Sequence, residues 1–439
     1  MGLWPHVTCL ADDDNPNVGT TGLLESGREE APLLGRSEDQ RRPITSDWSS
    51  RYSPLLWAVG LVSAASIVAY YCLWLSRFPQ MDFLVYRAGG QHVLHGGLYS
   101  SQIKVLGRHL AFTYPPLAAL LFSPFSLLSA HASQILWDVL DILALTALIA
   151  VSTAAARRRP LARSDWRLAL LLVAPIGFFL WPVRYDLNLG QINVVLALLI
   201  VIDLTIGWSW RTKKMPTGVL IGLAAAIKLT PLVFIAYLLA SHQWKAARNA
   251  LLSFVGATLV LFAVAPTASW VYFTKDAFAV NRIGNDQGIG NQTLLAALYR
   301  THVSLPSALN DLILLSVVCG GIALAAVAYR RSSAMLAVLV CAATGLLVSP
   351  ISWPHHYVWV VPALIWLACG EDRPAKGGWW ALAGTLCFFV IPPFHVGRGV
   401  VWYLWEDIYV MAALSFLGLV ACMLRVRRRQ SVDEPAWSP

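Results

Sequence analysis

Charged residues are scarce in this sequence. They make up 13% of the 439 residues, about half of their usual share in a soluble domain, whereas 57% of the residues are hydrophobic. A soluble chain of this size could not bury so much apolar surface. Runs of about 18 or more apolar residues recur from Pro54–Leu75 onward, and each is long enough to cross a bilayer as a helix. The sequence therefore predicts a membrane protein with several spans.

The long stretches of alternating hydrophobicity that a membrane β-barrel requires are also lacking. Segments such as Leu189–Ile206 and Asp311–Tyr329 are apolar on every side, which is typical of helices surrounded by lipid or by other helices. The expected fold class is therefore an all-α polytopic membrane protein.

The short motifs of soluble nucleotide-dependent and metal-dependent enzymes are missing as well. The sequence has no HExxH zinc motif, Walker phosphate loop, nucleotide-binding glycine pattern, CxxC pair or GxSxG elbow. Its seven cysteines are scattered, mostly within apolar runs, without the spacing of metal ligands. Soluble nucleotide-dependent chemistry therefore has no support in the sequence.

The net charge of +9 does not indicate a nucleic-acid partner. Basic residues stand in short clusters at the ends of apolar runs, as in Arg157–Arg159, Arg211–Lys214 and Arg427–Arg429. Such clusters are typical of cytoplasmic loops and of contacts with lipid headgroups. We therefore expect membrane lipids, and no nucleic acid, among the partners.

Three regions are predicted along the chain. Residues 1–50 are polar and have no periodic apolar face, so we expect a disordered cytoplasmic tail. Residues 51–425 form the membrane domain, and residues 426–439 form a second cytoplasmic tail. Placing the basic loops inside puts both termini in the cytoplasm of a protein of the plasma membrane.

If every basic loop is cytoplasmic, the number of crossings between two loops must agree with the side on which each loop lies. This requirement predicts about ten full spans and two broken or re-entrant segments. Phe112–Ser129 contains three prolines, and Pro216–Ala240, which lies between two basic loops, is interrupted at Lys228–Pro231. A single tilted span is the alternative for the second segment. The full spans are predicted at Pro54–Leu75, Ser133–Ala156, Ala169–Trp181, Leu189–Ile206, Leu251–Val264, Asp311–Tyr329, Met335–Val348, Tyr357–Leu367, Trp379–Val390 and Ile408–Leu424.

Most of the unusual polar residues fall in the regions predicted to lie outside the cell. These regions are Arg77–Leu110, Trp181–Asn193, Thr267–Gln292, Ser349–Tyr357 and the smaller Pro392–Asp407. Any reaction is therefore expected at the extracytoplasmic face of the membrane.

Asp82 is the candidate general base. It follows the first span by a few residues, and low-dielectric surroundings raise the pKa of a carboxyl group toward that of a useful base. The alternative is an interfacial aspartate that pairs with Arg87 or caps the helix that begins there.

Amide and carboxyl side chains concentrate in Trp181–Asn193, which is predicted to be a short hairpin between two spans. Gln191 and Asn193 open an apolar helix, where amides without partners are costly, so they are expected to bind protein, water or substrate. Helix capping and interhelical hydrogen bonds are the alternative.

Lys228 and two histidines are candidates for binding an anion. A lysine within the apolar stretch Val219–Leu239 usually faces a cavity or an anion, and a snorkelling lysine is the alternative. His355 and His356 lie in the outer segment Ser349–Tyr357. One of them is expected to contact a phosphate or a sugar hydroxyl while Trp353 stacks on a sugar ring, although interfacial tryptophans are also common without such a role.

Several local patterns together resemble the family-87 glycosyltransferases, membrane enzymes that use polyprenol-phosphate sugars. The likeness extends over about residues 55–425. The patterns are Asp82-Phe83-Leu84-Val85-Tyr86, Thr113-Tyr114-Pro115-Pro116, Gly190-Gln191-Ile192-Asn193, Gly222 with Ile227-Lys228-Leu229-Thr230-Pro231, and Ser349-Pro350 with His355-His356.

This resemblance implies a type-C glycosyltransferase fold and an inverting reaction without a nucleotide sugar. Asp82 matches the family's candidate base, and His355 or His356 its outer-loop histidine. Many type-C enzymes have two neighbouring acids where this chain offers Asp82 alone, so no metal is expected. No cofactor is expected either, because a lipid-linked sugar is itself the donor.

The best-known members of the family are α-1,2-mannosyltransferases in cell-envelope biosynthesis. They transfer mannose from polyprenyl-phosphate mannose to phosphatidylinositol mannosides, lipomannan or lipoarabinomannan, and we expect the same activity here. Donor-phosphate contacts are expected from Lys228, Arg87, His355 and His356. Substrate contacts are expected from Tyr86, Tyr114, Asp186, Asn188, Gln191, Asn193, Asn291 and Trp353.

Two other functions remain open at this point. An arabinofuranosyltransferase on the same scaffold would use the same lipid-phosphate chemistry, so the sequence separates the two poorly. A lipid or sugar transporter would show inverted repeats and ionisable groups near the middle of the bilayer. The sequence has no clear repeat, and its polar residues gather on one side.

Overall fold

The structure is a computed structural model, and it describes only part of the chain. The predicted tail 1–50, the loop Arg211–Lys214 and most of the region Pro392–Asp407 lie outside the described residues. The described residues are 53–75, 78–95, 97–99, 103–105, 107–206, 216–279, 288–302, 305–389 and 405–433.

Helices dominate these residues, with one small β-hairpin formed by the antiparallel strands β1 (Ile103–Val105) and β2 (Arg108–Leu110). Short 3₁₀ helices occur at Ser123–Leu127, Asp276–Phe278 and Pro354–Trp359. The α-helices are α1 Ser53–Leu75, α2 Met81–His92, α3 Pro116–Phe122, α4 Ala130–Ala156, α5 Arg163–Phe179, α6 Trp181–Leu189, α7 Asn193–Thr205, α8 Val219–Ile227, α9 Leu232–Ala240, α10 Trp244–Val264, α11 Pro266–Thr274, α12 Leu294–Arg300, α13 Ser307–Arg331, α14 Ala334–Val348, α15 Val360–Cys369, α16 Gly377–Phe388 and α17 Ile408–Asp433.

Five of these helices, α1, α4, α10, α13 and α17, are long and apolar enough to cross a membrane. A sixth span results if α6 and α7, which meet at an angle of 118°, are counted as one broken span. The predicted all-α membrane fold is therefore confirmed, whereas the count of about ten crossings stays a prediction.

Helix α4 occupies the centre of the bundle. In the most apolar 18-residue window of α4, 78% of the residues are buried. The corresponding windows of α1 and α10 are each 17% buried. The apolar faces of α1 and α10 are therefore available to lipid, whereas α4 packs against protein on most sides.

The break predicted within residues 216–240 is present. Helix α8 ends at Ile227, Lys228 adopts an extended conformation with φ −148° and ψ 130°, and α9 begins at Leu232. The start of α8 lies against the first turns of α10, because the Asn249 side chain donates to the carbonyl of Thr217 at 3.0 Å, and α10 begins at Trp244, directly after α9 ends at Ala240. The segment is thus a helical hairpin with Lys228 at its turn, and the single tilted span is wrong.

The proline-rich stretch 112–129 also contains no long helix, as predicted. It forms α3 and the following 3₁₀ helix, because Pro115 and Pro116 fix the start of α3 and Pro124 falls in the first turn of the 3₁₀ helix.

The hairpin predicted between Trp181 and Asn193 is wrong. Residues Trp181–Leu189 form the nine-residue helix α6, with Pro182 in its first turn, where a missing backbone N–H costs nothing. Gly190 ends α6 at φ +67°, in the left-handed region that favours glycine. Helix α7 then begins at Asn193, and the polar side chains of this region lie on two helices instead of a loop.

Gln80 fixes the start of α2 against the centre of the bundle. Its backbone N–H donates to the Gln134 side chain at 2.7 Å, and its side-chain amide donates to Asp138 at 2.6 Å and to the Leu187 carbonyl at 2.8 Å. Gln134 and Asp138 belong to α4, and Leu187 belongs to α6. These bonds hold the first turn of α2, which carries Asp82, beside the end of α6.

Candidate active site

A cavity of about 460 Å³ is built from segments that are far apart in the sequence. Its wall includes the start of α2, the turn before α3, the α6–α7 junction, the break between α8 and α9, and the loop after α14. The predicted site residues in this wall are Asp82, Tyr86, Tyr114, Gln191, Lys228, Trp353, His355 and His356.

The carboxylate of Asp82 is held by Gln191. The Gln191 amide donates to Asp82 Oδ2 at 2.5 Å, and its own oxygen accepts from the hydroxyls of Tyr86 at 2.6 Å and Tyr114 at 3.1 Å. The two tyrosines therefore fix the amide so that its N–H points toward the carboxylate. Within the described residues nothing donates to Asp82 Oδ1, which leaves this oxygen available to a substrate.

Gly190 permits this contact between α2 and the α6–α7 junction. A Cβ atom at Gly190 would lie 2.6 Å from Phe83 Cβ and 2.9 Å from the side-chain carbonyl group of Gln80. Since its φ is also +67°, only glycine fits without strain. The close approach brings Gln191 within hydrogen-bond distance of Asp82.

Burial raises the pKa of the Asp82 carboxyl group above its ordinary value. The hydrogen bond from Gln191 and the charge of Lys228 act in the opposite direction and lower this pKa. A raised pKa makes this carboxylate a stronger base than an exposed aspartate.

The ammonium group of Lys228 enters the cavity wall at the break between α8 and α9, and only 9% of the residue is exposed. Its Nζ donates to Asn193 Oδ1 at 2.7 Å and lies 3.2 Å from His356 Nε2. Asn193 in turn donates to Asp186 Oδ1 at 2.7 Å. Asp186 and Asn193 are not part of the wall, and they support Lys228 from behind.

His355 and His356 both line the cavity, with ring centroids 4.7 Å apart and ring planes nearly perpendicular. Burial, and then the charge of Lys228, holds the pKa of each ring well below its ordinary value. The lowered pKa favours the neutral form of both imidazoles, which can donate or accept hydrogen bonds but carries no charge. His356 is the ring next to Lys228, whereas His355 packs 5.4 Å from Tyr185.

Trp353 lies in the wall with its ring against Gly290. A Cβ atom at Gly290 would come within 2.8 Å of the indole Cζ3 atom, so the missing side chain sets how deeply the ring can lie. Asn291 holds the same loop: it donates to the Pro350 carbonyl at 3.2 Å and accepts from the Ser352 backbone at 2.9 Å. Asn291 therefore shapes the wall from behind, outside the cavity.

Two further predicted residues do not reach the cavity. Arg87 donates to the carbonyls of Phe125 at 3.3 Å and Leu128 at 2.7 Å, at the end of the 3₁₀ helix, and it does not pair with Asp82. Asn188 lies on α6, and its side-chain oxygen has no partner among the described residues. The structure thus places Arg87 away from the other candidates for the donor phosphate.

Comparison with known proteins shows the family of this chain. Residues 112–350, more than half of the chain, match the sequence model of glycosyltransferase family 87. The chain belongs to glycosyltransferase family 87. The match spans the segments of Tyr114, Gln191 and Lys228 in this family-87 protein, and it leaves out Asp82, His355 and His356. No solved structure matches the chain.

Two mycobacterial relatives of this family-87 chain extend the likeness over most of its length. A protein of Mycobacterium tuberculosis strain H37Rv is 35% identical over 85% of this chain and 91% of its own length. It is named a polyprenol-phosphate-mannose-dependent alpha-(1-2)-phosphatidylinositol mannoside mannosyltransferase. A protein of Mycolicibacterium smegmatis, named for the phosphatidylinositol pentamannoside, is 30% identical over 84% of this chain and 91% of its own length. The family suggested by the local patterns and the enzyme class, a glycosyltransferase, are confirmed.

The family-87 chain has a further cavity residue that the sequence analysis missed. Asp276, at the start of the 3₁₀ helix after α11, lines the same cavity as Asp82, and Tyr272 of α11 lies beside it. Asp82 is therefore not the only carboxylate in the wall. Its position in the predicted outer region Thr267–Gln292 was the available signal, but nothing in the sequence shows that Asp276 reaches the cavity that Asp82 lines.

Proposed function

We propose that this protein transfers mannose from polyprenyl-phosphate mannose to a phosphatidylinositol mannoside, with inversion and formation of an α-1,2 linkage. The names of relatives that are 30–35% identical support this donor and this acceptor. Lipomannan and lipoarabinomannan are further acceptors of the same chemical class. The observation that carries the proposal is that a carboxylate and an ammonium group, Asp82 and Lys228, face one cavity together with neutral imidazoles.

In this proposal Asp82 is the general base. It takes the proton of the acceptor mannose 2-hydroxyl while that oxygen bonds to the anomeric carbon of the donor. The bond between this carbon and the phosphate oxygen breaks, and its electron pair leaves with the polyprenyl phosphate. Because attack and departure occur on opposite sides of the carbon, a β-linked donor gives an α-linked product.

The departing phosphate gains negative charge, and Lys228 is the group proposed to stabilise it. Lys228 is the only lysine or arginine among the described residues of the cavity wall. A neutral His356 or His355 would add a hydrogen-bond donor without further positive charge. This division of roles keeps the base on α2 and the cation on the α8–α9 turn, on separate segments of the wall.

The proposal places the cavity at the extracytoplasmic face, in a type-C fold of about ten crossings with both termini in the cytoplasm. Loops predicted to lie inside meet at one end of α4: Arg158 contacts Asp372 at 3.1 Å, and Arg427 donates to the Asp372 carbonyl at 2.8 Å. The other end of α4 carries Gln134, which bonds to Gln80 beside Asp82. A helix of 27 residues, about 40 Å long, therefore separates the basic end from the cavity end.

The decisive experiment incubates membranes containing the protein with polyprenyl-phosphate mannose and a panel of mannosylated lipid acceptors, and then determines the linkage of the product. We expect mannose on a 2-hydroxyl. Asp82→Asn should lower turnover about 10²–10⁴-fold while the protein still inserts into the membrane. Transfer from polyprenyl-phosphate arabinose instead would support the arabinofuranosyl alternative. Movement of labelled lipid without a new glycosidic bond would support a transporter.

A further inference from the structure

Four tyrosines line the candidate active site, and two of them use their hydroxyls within the protein. Tyr86 and Tyr114 both donate to Gln191, so these two phenols are committed to holding this amide. The hydroxyls of the other two, Tyr185 and Tyr272, form no hydrogen bond with another described residue. A phenolic hydroxyl enclosed by protein usually finds a hydrogen-bond partner. A ligand in the cavity is therefore the expected partner.

Helix α6 directs Tyr185 into the cavity. Tyr185 and Leu189, which both belong to the wall, are four positions apart and therefore lie on one face of this helix. Asp186 faces away from the cavity, where it accepts from Asn193 behind the wall. The ring of Tyr185 stacks on Trp181 of the same helix, with ring centroids 5.5 Å apart and an angle of 15° between the planes. The helix and the stacked indole thus hold the phenol in place.

Tyr185 lies near both the candidate base and one of the histidines. Its ring is 5.4 Å from the ring of His355, which also lines the cavity. Asp82 is close enough for its charge to act on the phenol. This closeness follows from the contact between the end of α6 and the first turn of α2, where Gly190 lies against Phe83.

Tyr272, the other tyrosine without a partner for its hydroxyl among the described residues, lies in a different part of the wall. Its ring packs 5.5 Å from the ring of Tyr99, just before β1. The charge that acts on its phenol is that of Asp276. Of these two tyrosines, Tyr185 is therefore the one beside Asp82.

The proposed reaction indicates what lies between Asp82 and His355. Asp82 takes a proton from the acceptor, and His355 is one of the groups proposed to donate to the departing phosphate. The transferred sugar lies between the acceptor oxygen and the phosphate, because its anomeric carbon leaves one and bonds to the other. A side chain near both Asp82 and His355 thus faces the transferred sugar.

We infer that the hydroxyl of Tyr185 forms a hydrogen bond with a hydroxyl group of the transferred mannose. This inference rests on the proposed function, and it names a residue that recognises the sugar of the donor. Tyr185 binds the substrate and exchanges no proton with it. A site that places a polar group against a substrate hydroxyl disfavours analogues without this hydroxyl, since the polar group then loses its partner. Tyr185 therefore contributes to the choice of sugar.

The kinetic test removes the hydroxyl from the protein, from the donor, or from both. Tyr185→Phe in the full chain removes the protein's hydroxyl and keeps the ring that stacks on Trp181. Polyprenyl-phosphate mannose is compared with analogues that each lack one hydroxyl group of the mannose, with saturating acceptor. We expect Tyr185→Phe to lower kcat/KM for the mannose donor about ten-fold. For one of the analogues, the variant and the wild type should have equal kcat/KM, because the hydrogen bond is already missing.

The matched control is Tyr299→Phe. Tyr299 is exposed on α12, outside the cavity wall, so the loss of its hydroxyl should leave kcat/KM unchanged for every donor. An equal loss in Tyr185→Phe for the mannose donor and for all analogues would mean that the phenol acts through the fold or the acceptor, and it would overturn the inference. Wild-type kcat/KM in Tyr185→Phe, or the same loss in the control, would also overturn it.

A binding test separates this inference from the proposed function. The purified full chain is titrated with polyprenyl-phosphate mannose and with the same analogues, without acceptor, so that no transfer is needed. We expect Tyr185→Phe to bind the mannose donor about ten-fold more weakly than the wild type, and both proteins to bind one of the analogues equally. This pattern together with absent mannosyl transfer in the wild type would refute the proposed function and retain the contact. Normal transfer together with equal binding of the mannose donor by both proteins would refute the contact and retain the proposed function.

Discussion

At the scale of single residues, Gln191 decides how the carboxylate of Asp82 is presented. Its amide is fixed by two tyrosine hydroxyls and donates one short hydrogen bond to Asp82. The bond stabilises the charged form of the carboxyl group and so opposes the effect of burial on its pKa. Gln191 therefore tunes the base without touching the reacting atoms in the proposed mechanism.

Gln191→Leu should make the pKa of Asp82 rise further, because it removes a contribution that lowers this pKa. Transfer requires the deprotonated carboxylate, so activity falls as the pH drops below this pKa. The acidic limb of the profile of kcat/KM against pH should therefore move to higher pH in the variant. Gln243→Leu, at the far end of α9, removes an amide that bonds to Tyr237 and should leave the profile in place. An unshifted limb in Gln191→Leu would contradict the role of this amide.

At the scale of the helices, the broken segment α8–α9 and helix α7 act together to hold Lys228. Asn193 is the first residue of α7, and it joins the Lys228 ammonium to Asp186 on α6. The sequence analysis assigned Asp186 and Asn193 to substrate contacts. The structure places them one layer behind the cavity, where they orient the cation.

Asn193→Ala should lower kcat about ten-fold or more while the KM for the acceptor stays nearly constant, since it frees the ammonium that stabilises the departing phosphate. Asn249→Ala is the matched control, because Asn249 donates one hydrogen bond to Thr217 at the opposite end of α8. It should leave kcat unchanged. Steady-state kinetics with each variant, with the amount of folded protein measured in parallel, checks this. A rise in the KM for the acceptor without a change in kcat would indicate that Asn193 contacts the substrate, as the sequence analysis predicted.

Gly190→Ala tests the contact between α2 and the α6–α7 junction. The variant combines left-handed backbone strain of about 1–2 kcal/mol with a clash against Phe83, so it should lower both thermal stability and transfer. Gly107→Ala is the control, because Gly107 has φ +78° and open space around its Cα. It should show the backbone cost alone, with transfer near the wild-type level. Thermal unfolding in detergent and the transfer assay measure the two effects.

At the scale of the whole molecule, the cavity and the loops that are predicted to be cytoplasmic lie at opposite ends of α4. Arg158 and Arg159 pair with Asp372 and Asp165 near the end of α4, whereas the cavity lies near its start. Ion pairs occur at both ends, since Arg300 pairs with Asp407 and also donates to the Asn291 carbonyl near the cavity, so the predicted cytoplasmic loops alone support the proposed orientation.

Cysteine labelling tests that orientation. His95→Cys, at the cavity end, should react with a membrane-impermeant maleimide on intact cells, whereas Arg248→Cys should react only after the membrane is opened. Both side chains replace exposed residues, so access to the reagent depends on the side of the membrane. The unsubstituted protein gives the background from its native cysteines. Labelling of Arg248→Cys on intact cells would invert the proposed topology.

Apolar periodicity and proline positions were enough to predict the helical fold and both broken segments, because these features depend on residues close in the sequence. Helix α6 was missed, since its polar side chains suggest a loop until their partners on other helices are known. Arg87 was expected near the donor phosphate, but it is held by carbonyls 38 to 41 residues away. Asp276 was missed for the same reason, because its place in the cavity depends on the packing of distant segments.

The contact between Trp353 and Gly290 sets the depth of the cavity at the place where the indole is proposed to stack on a sugar ring. Because the indole rests on a residue without a side chain, one added methyl group at position 290 would push the ring outward and change the depth of the cavity. No charged or hydrogen-bonding group would have to change. An exchange beneath the ring would therefore change the fit of the proposed sugar while the proposed proton-transfer and phosphate-binding groups stay in place.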